Sequence, residues 1–333
     1  MKRIAKRLLW TPVVSLLILA SLLIFGTARL PPAAPAITRP FARNDMSRLP
    51  PIQRYRARDG AELAYRAYPA AGNQVAVLIH GSAGSSADMH PLAQALQAAN
   101  VTVLVPDLRG QGWNQPHGDI AYLGQLEDDL ADFVGKEKPN YPGTRWTALG
   151  FSSGAAFTLR VAAQTPLGLT FDRYVIVSPY LRYNAPSVRL AASGTHSKAS
   201  GSAIQDSQSW AAASTGRIVA LTILNRVGVH LFDGLPVVAF PVAANVPYST
   251  QTYSWRLEQN FGAHKDYLND ILHARRPVQV FVGAADELLD PERLKAEIHS
   301  QRVDIPVSIL PGMGHSDMVT NPDAIRVLVA TFS

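Results

Sequence analysis

Short apolar runs alternating with helical stretches predict an α/β protein, a mostly parallel sheet with helices on both faces and an inserted cap over the sheet's carboxyl edge. Three features carry that prediction. Six short β-branched or apolar runs recur with helix-forming segments between them, one run passes into a helix through a Gly-x-Ser-x-Gly turn, and a stretch of about 95 residues lacks the core pattern.

The elements follow in chain order. Lys2, Arg3, Lys6 and Arg7 precede Leu8 to Phe25, eighteen residues without a charge, and the uncharged stretch continues through Ala28 to make 21. At 1.5 Å per helical residue that is about 31 Å, matching the ~30 Å hydrocarbon core of a bilayer. Residues 1–28 are therefore expected to form a membrane anchor, with residues 8–28 in the lipid bilayer. The positive charges ahead of the run place the N-terminus in the cytoplasm and the remaining chain outside. Gly26 and Ala28 also meet the small-residue requirement of a cleavage site after Ala28, leaving a secreted or periplasmic product as the alternative. Residues 29–50, with Pro31-Pro32-Ala33-Ala34-Pro35, read as a proline-rich linker.

Ile52 to Arg58, the turn Asp59-Gly60 and Glu62 to Tyr68 predict an antiparallel hairpin. Strands are expected over 75–79, 101–105, 146–150, 174–178, 278–282 and 306–310, and helices over 88–99, 119–135, 154–164, 291–300 and 321–331. The core thus occupies 51–182 and 277–333, with the cap at 183–276 between them. Within the cap, Asn184 to Gly216 is rich in Ser, Ala and Gly and reads as irregular. Ile218 to Val246 is apolar, and Tyr253 to Leu272 has a helical pattern. Leu221, Ile223, Leu231, Phe232, Leu235, Val237, Val238 and Phe240 offer either an apolar lining or a small core.

The chemistry-bearing residues sit where these strands end. In Gly150-Phe151-Ser152-Ser153-Gly154 the spacing lets strand and helix approach closely at a tight elbow that projects the Ser152 hydroxyl. By itself such a pattern arises by chance in about one chain in ten of this length. Its company is more specific. Val75 to Ile79 ends in His80-Gly81-Ser82-Ala83-Gly84, a turn whose Ser82 N–H would join that of Ser153 as an oxyanion donor. Val278 to Val282 runs into Gly283-Ala284-Ala285-Asp286, and Val307 to Leu310 into Pro311-Gly312-Met313-Gly314-His315. Glu287 and Asp290 are close rivals to Asp286 and could instead cap the helix beginning near Pro291.

Together these motifs, in the order Ser152, Asp286, His315, resemble the α/β-hydrolase superfamily, in particular its lysophospholipase and monoglyceride-lipase-like branch. The resemblance covers roughly residues 52–331 apart from the cap. Pro106-Asp107-Leu108-Arg109-Gly110-Gln111-Gly112 is similar to that branch's Asp-x-Arg-Gly-x-Gly loop, while Trp113-Asn114 departs from it. The resemblance implies an α/β-hydrolase fold and a serine hydrolase of carboxylic esters (acyl-glycerol, lysophospholipid or another apolar acyl ester). Ser152 would be nucleophile, His315 base and Asp286 its partner. His80, Asp107 and Arg109 are expected to hold loops. An acyltransferase or peptidase on the same triad, or a catalytically silent binding module, are the alternatives.

Composition narrows the field. The chain holds 31 Lys and Arg against 25 Asp and Glu. Residues 1–49 carry eight of the former and one of the latter, so the remaining 284 residues have a net charge of −1, and nucleic-acid binding gains no support. With no cysteine there is no disulfide, thiol nucleophile or Cys-based metal site. Neither a metal-ligand spacing nor a phosphate-cradling glycine loop occurs, so no cofactor and no metal is expected.

Overall fold

The computed structural model describes residues 2–189, 210–243 and 248–332, as backbone alone over 2–12. Eight strands form one sheet in the order β1-β2-β4-β3-β5-β6-β10-β11. β1 (Gln53–Arg56) and β2 (Glu62–Tyr68) make the expected hairpin, and β2 joins β4 (Thr102–Pro106) antiparallel. From β4 onward, β3 (Gln74–Ile79), β5 (Arg145–Phe151), β6 (Arg173–Val177), β10 (Val278–Gly283) and β11 (Val307–Leu310) run parallel.

Alternate residues of each strand feed two cores. Val75, Val77 and Ile79 face one side with Ala148, Ile176 and Val280. That side is covered by α4 (Gln125–Glu137), α5 (Ser153–Ala163), α8 (Tyr267–His273) and α9 (Pro291–Gln301). Ala76 and Leu78 face the other with Leu149, Val175 and Phe281, under α3 (His90–Ala98), α10 (Asp317–Thr320) and α11 (Pro322–Ala330). Burial on both faces explains why these strands read as continuous apolar runs, each large side chain contributing about 1.5–3 kcal/mol.

Three expectations need revision. The helix expected over 119–135 starts at Gln125, because Gly118 (φ +79°) and Gly124 (φ +99°) hold the chain in a left-handed conformation that a helix cannot contain. The position a Gly118 side chain would need is filled by the Thr252 carbonyl. Secondly, the stretch expected as a proline-rich linker contains a helix. α2 (Pro35–Ala42) buries Ile37, whose carbonyl accepts from Ser316 Oγ at 2.8 Å, and Phe41 packs edge-on against Phe151 at 6.1 Å.

The insertion is the third. α6 (Thr215–Arg226) and α7 (Trp255–Asn260) flank a small antiparallel sheet of β7 (Ala212–Ala213), β8 (Pro236–Ala239) and β9 (Thr252–Ser254). α8, at its end, packs against α5 and α9 and so belongs to the core layer. Of the irregular part expected over 184–216, residues 190–209 lie outside the described residues; the preceding stretch returns to the core through a Val188 to Leu289 bridge. The proposed lining also divides. Leu221, Val237, Val238 and Phe240 are buried in the core shared with α5, whereas Ile223, Leu231 and Phe232 are exposed, Leu231 by 83%, and point outward.

α1 (Lys2–Phe25) is a helix over most of the expected anchor. Among the described residues no helix is long and apolar enough to cross a membrane. The last turn of α1 packs on α6: Arg217 Nε donates to the Leu23 carbonyl at 3.0 Å, and Ser214 Oγ donates to that of Gly26.

Candidate active site

The elbow after β5 puts Ser152 at φ +57°, ψ −124°, a conformation disfavoured for a residue with a side chain. Its surroundings tolerate no bulk. A side chain at Gly150 would strike the Gly154 carbonyl and Thr158, and one at Gly154 would strike the carbonyls of Ile79 and His80. Both glycines are thus fixed by the closeness of α5 to β5 and β3.

Ser152, His315 and Asp286, each less than 7% exposed, are brought together from three strand ends. Ser152 Oγ lies 2.9 Å from His315 Nε2, and His315 Nδ1 lies 2.8 and 3.0 Å from the two Asp286 oxygens. With Nδ1–H donating to the carboxylate, Nε2 is left as the acceptor for the serine hydroxyl. Asp286 Oδ1 also accepts the N–H groups of Leu288 and Leu289 at 2.9 Å, which orients the carboxylate.

The two rival acids have other partners. Glu287 accepts the His315 N–H at 2.7 Å and holds the loop that carries the imidazole. Asp290 caps α9, accepting from the N–H groups of Glu292 and Arg293.

Above the serine, the turn after β3 meets the start of α5. Ser82 Oγ and Ser153 Oγ are 2.6 Å apart, which ties the two turns together. Neither the Ser82 nor the Ser153 N–H has an acceptor among the described residues. Both remain free to donate to a reacting oxygen.

The loop residues hold the scaffold. His80 Nδ1 donates to the Gly81 carbonyl at 2.9 Å and Nε2 accepts from the Leu108 N–H at 3.2 Å, while burial lowers its pKa and keeps the ring neutral. Asp107 accepts from the N–H groups of Ser86 and Trp113. Arg109 makes a two-pronged ion pair with Asp129 at 2.7 and 2.8 Å and a further one with Asp59. Asn114, in the pair that departs from the family pattern, ties this loop to β2 through the Ala64 N–H at 2.8 Å.

Three cap residues escaped sequence reasoning. Tyr253, from β9, places its phenol on the Ala83 N–H at 2.6 Å, 170 residues away in sequence. Phe261 lies over His80 with ring centres 6.3 Å apart. Glu258, on α7, has its carboxyl pushed up to about 7 by burial, with Arg182 opposing. No local pattern marks any of them; the nearest signal is only that α7 follows a serine cap at Ser254.

Comparison with known proteins gives the family and the fold. The model of the family described as Serine aminopeptidase, S33 matches residues 71–323. A curated relative from Shigella flexneri serotype 5b, the candidate carbamate hydrolase RutD, is 26% identical over 274 residues, covering 80% of this chain and 94% of its own. Among solved structures, a soluble variant of the monoglyceride lipase of Saccharomyces cerevisiae superposes with a TM-score of 0.62 at 17% identity, over 87% of this chain and 96% of that one. The monoacylglycerol lipase of Paleococcus ferrophilus gives 0.57 at 17%, over 81% and 98%. At such identities the structures speak for the fold. The chain is a serine hydrolase with the α/β-hydrolase fold and belongs to the Serine aminopeptidase, S33 family.

Proposed function

We propose that this hydrolase cleaves carboxylic esters with apolar acyl groups, of the acyl-glycerol or lysophospholipid kind, at a membrane. The observation that carries the reading is the Ser152, His315 and Asp286 chain of hydrogen bonds beside two unspent N–H groups. His315 Nε2 takes the Ser152 proton as Oγ attacks the ester carbonyl, and the Ser82 and Ser153 N–H groups bind the oxyanion. The imidazolium, steadied by Asp286, gives that proton to the departing alkoxide. Water then attacks the acyl-enzyme by the same route, releasing the acid and restoring the serine.

An apolar acyl group is supported by the aromatic cluster of Phe240, Tyr253 and Phe261, which the cap packs against His80 of the turn after β3 and Phe157 of α5. Tethering is supported by α1. It exposes Leu16, Leu17, Ile18, Ile24 and Phe25, which water would not favour and lipid would. Four positive charges precede its apolar run, favouring a cytoplasmic N-terminus and an external catalytic domain.

Acyl length tests the reading. At about 0.8 kcal/mol per buried methylene, four added methylenes would raise kcat/KM by on the order of a hundredfold. Rates on esters of one alcohol should rise from two-carbon to about eight-carbon acyl groups. A steady fall over that series would exclude apolar acyl esters and point to a small polar ester or amide.

A further inference from the structure

The cap is joined to the catalytic turn by one buried phenol. Tyr253 is 1% exposed, and its hydroxyl accepts the Ala83 N–H at 2.6 Å while donating to Gln111 Oε1. Its ring is fixed against Phe240, with centres 4.7 Å apart, and against Phe261. Gln111 is fully buried in the loop after β4, and its own N–H donates to the Leu108 carbonyl at 3.0 Å. The neighbouring strand residues are anchored to the same loop: Ser254 N–H donates to the Gly118 carbonyl at 2.7 Å, and the Thr252 carbonyl fills the space beside Gly118.

Ala83 is the strained residue of the turn, at φ +57° without being a glycine. Such a conformation persists only where surrounding contacts hold it. The phenol supplies one of those contacts, and by occupying the Ala83 N–H it leaves Ser82 as the turn's free donor, whose hydroxyl is clamped to Ser153.

We infer that Tyr253 is a positioning residue for ester hydrolysis: its hydroxyl, delivered by the cap, holds the Ala83 N–H so that the Ser82 N–H points at the developing oxyanion. The inference rests on the proposed role of Ser82 and Ser153. It makes the cap part of the catalytic apparatus as well as of substrate choice. Because burial holds the phenol well above the range in which it would ionise, the hydroxyl stays neutral at every working pH.

Tyr253→Phe removes one oxygen and leaves the ring. Loss of an oxyanion donor costs about 10²–10³ in kcat, and a misaligned donor less, so kcat should fall on the order of 10- to 100-fold. KM should stay within about threefold and the shape of the pH profile should be unchanged. A boronic acid, which mimics the tetrahedral adduct on Ser152, should lose affinity in proportion to kcat/KM, while a non-reactive substrate amide binds as before. Gln111→Leu, which removes the acceptor orienting the phenol, should reproduce the pattern more weakly and add little to Tyr253→Phe. It also serves as the test if Tyr253→Phe does not fold.

Unchanged kcat in either folded variant, or a rise in KM alone, would overturn the inference and leave Tyr253 as packing. Failure of the underlying reading is separable, since wild-type protein would then not react covalently with the boronic acid at Ser152.

Discussion

The core and the cap solve the same problem by opposite means. In the core, Ser152, Asp286 and His315 stand beyond the ends of parallel strands buried on both faces, so their positions follow from close sheet packing. The cap has a three-stranded sheet whose first strand is two residues long, and its outer residues Val227 and Leu231 are exposed. Little of its order comes from its own bulk. It is held by the apolar side chains it buries in the core shared with α5, Leu221, Val237 and Phe240 among them, and by long-range polar contacts: Tyr253 with Ala83, Arg256 with Asp119, Asn260 with Glu127 and the Gly124 N–H. Order therefore comes from sheet packing in the core, and in the cap from shared apolar burial together with a handful of long-range hydrogen bonds.

The core's part of that contrast breaks most visibly at the acid. Asp286→Asn leaves the shape but removes the charge that steadies the imidazolium, and turnover should drop by about 10⁴-fold. Glu287→Gln, which weakens only the grip on the His315 N–H, should cost on the order of tenfold. Steady-state rates on one soluble ester decide between them, and the reverse ranking would transfer the acid's role to Glu287.

The seam comes next. Arg160 Nη2 meets Glu127 Oε1 at 2.5 Å, both residues are under 9% exposed, and Nη1 reaches the carbonyls of Gln259 and Asn260 in α7 at 3.3 and 3.4 Å. Arg160→Met strands the buried Glu127 carboxylate and should lower stability by about 3 kcal/mol, read as a shift of the denaturation midpoint. Adding Glu127→Gln should recover part of that loss. If the single variant is as stable as wild type, the seam does not hold the two regions together.

Each region also carries one partly buried carboxyl with a raised pKa, and these give the smallest expected effects. Burial pushes Asp88, beside the Ser82 turn, up to about 7 against the Ser85 N–H that it accepts, and Glu258 of the cap up to about 7 likewise. The folded chain then holds protons that the unfolded chain, with carboxylates near 4, releases. The stabilisation is full below about pH 4 and is lost as pH rises through 7. Thermal melts between pH 4.5 and 8 should show this slope. Asp88→Asn and Glu258→Gln should each flatten it and raise the midpoint at pH 8 by a few degrees relative to wild type. An unaltered slope in both would mean that these groups ionise freely in the folded state.

How much was legible in the sequence follows the same division. β3, β5, β10 and β11 were readable because each is a local apolar run ending in a turn whose glycines are forced by close packing, as Gly154 is against the carbonyls of Ile79 and His80. Ser152 and His315 followed from those turns. Asp286 was chosen over Glu287 and Asp290 from its place just past the strand end and from the resemblance, with less to separate them, since three acids within five residues differ in where their side chains aim. Of the five helices expected in the core, only α4 was misplaced at its start, which depends on Gly124 and on a strand more than a hundred residues later filling the space at Gly118. In the cap, α6 and the small sheet were missed because two- to four-residue strands leave no period to detect, and Tyr253 because its partner is 170 residues away. α2 was missed within the proline-rich stretch read as a linker, although Pro35 stands in the first turn of a helix, where proline is tolerated.

The central claim is that Ser152 is a nucleophile activated by His315. The most direct measurement is reaction of the intact protein with a fluorophosphonate, followed by mass spectrometry of the modified peptide. One adduct is expected, on Ser152, with loss of esterase activity in step with labelling. No adduct is expected in Ser152→Ala, and at least a thousandfold slower labelling in folded His315→Ala. Full-rate labelling of His315→Ala, or an adduct on Ser82 or Ser153 with Ser152 unmodified, would contradict the claim.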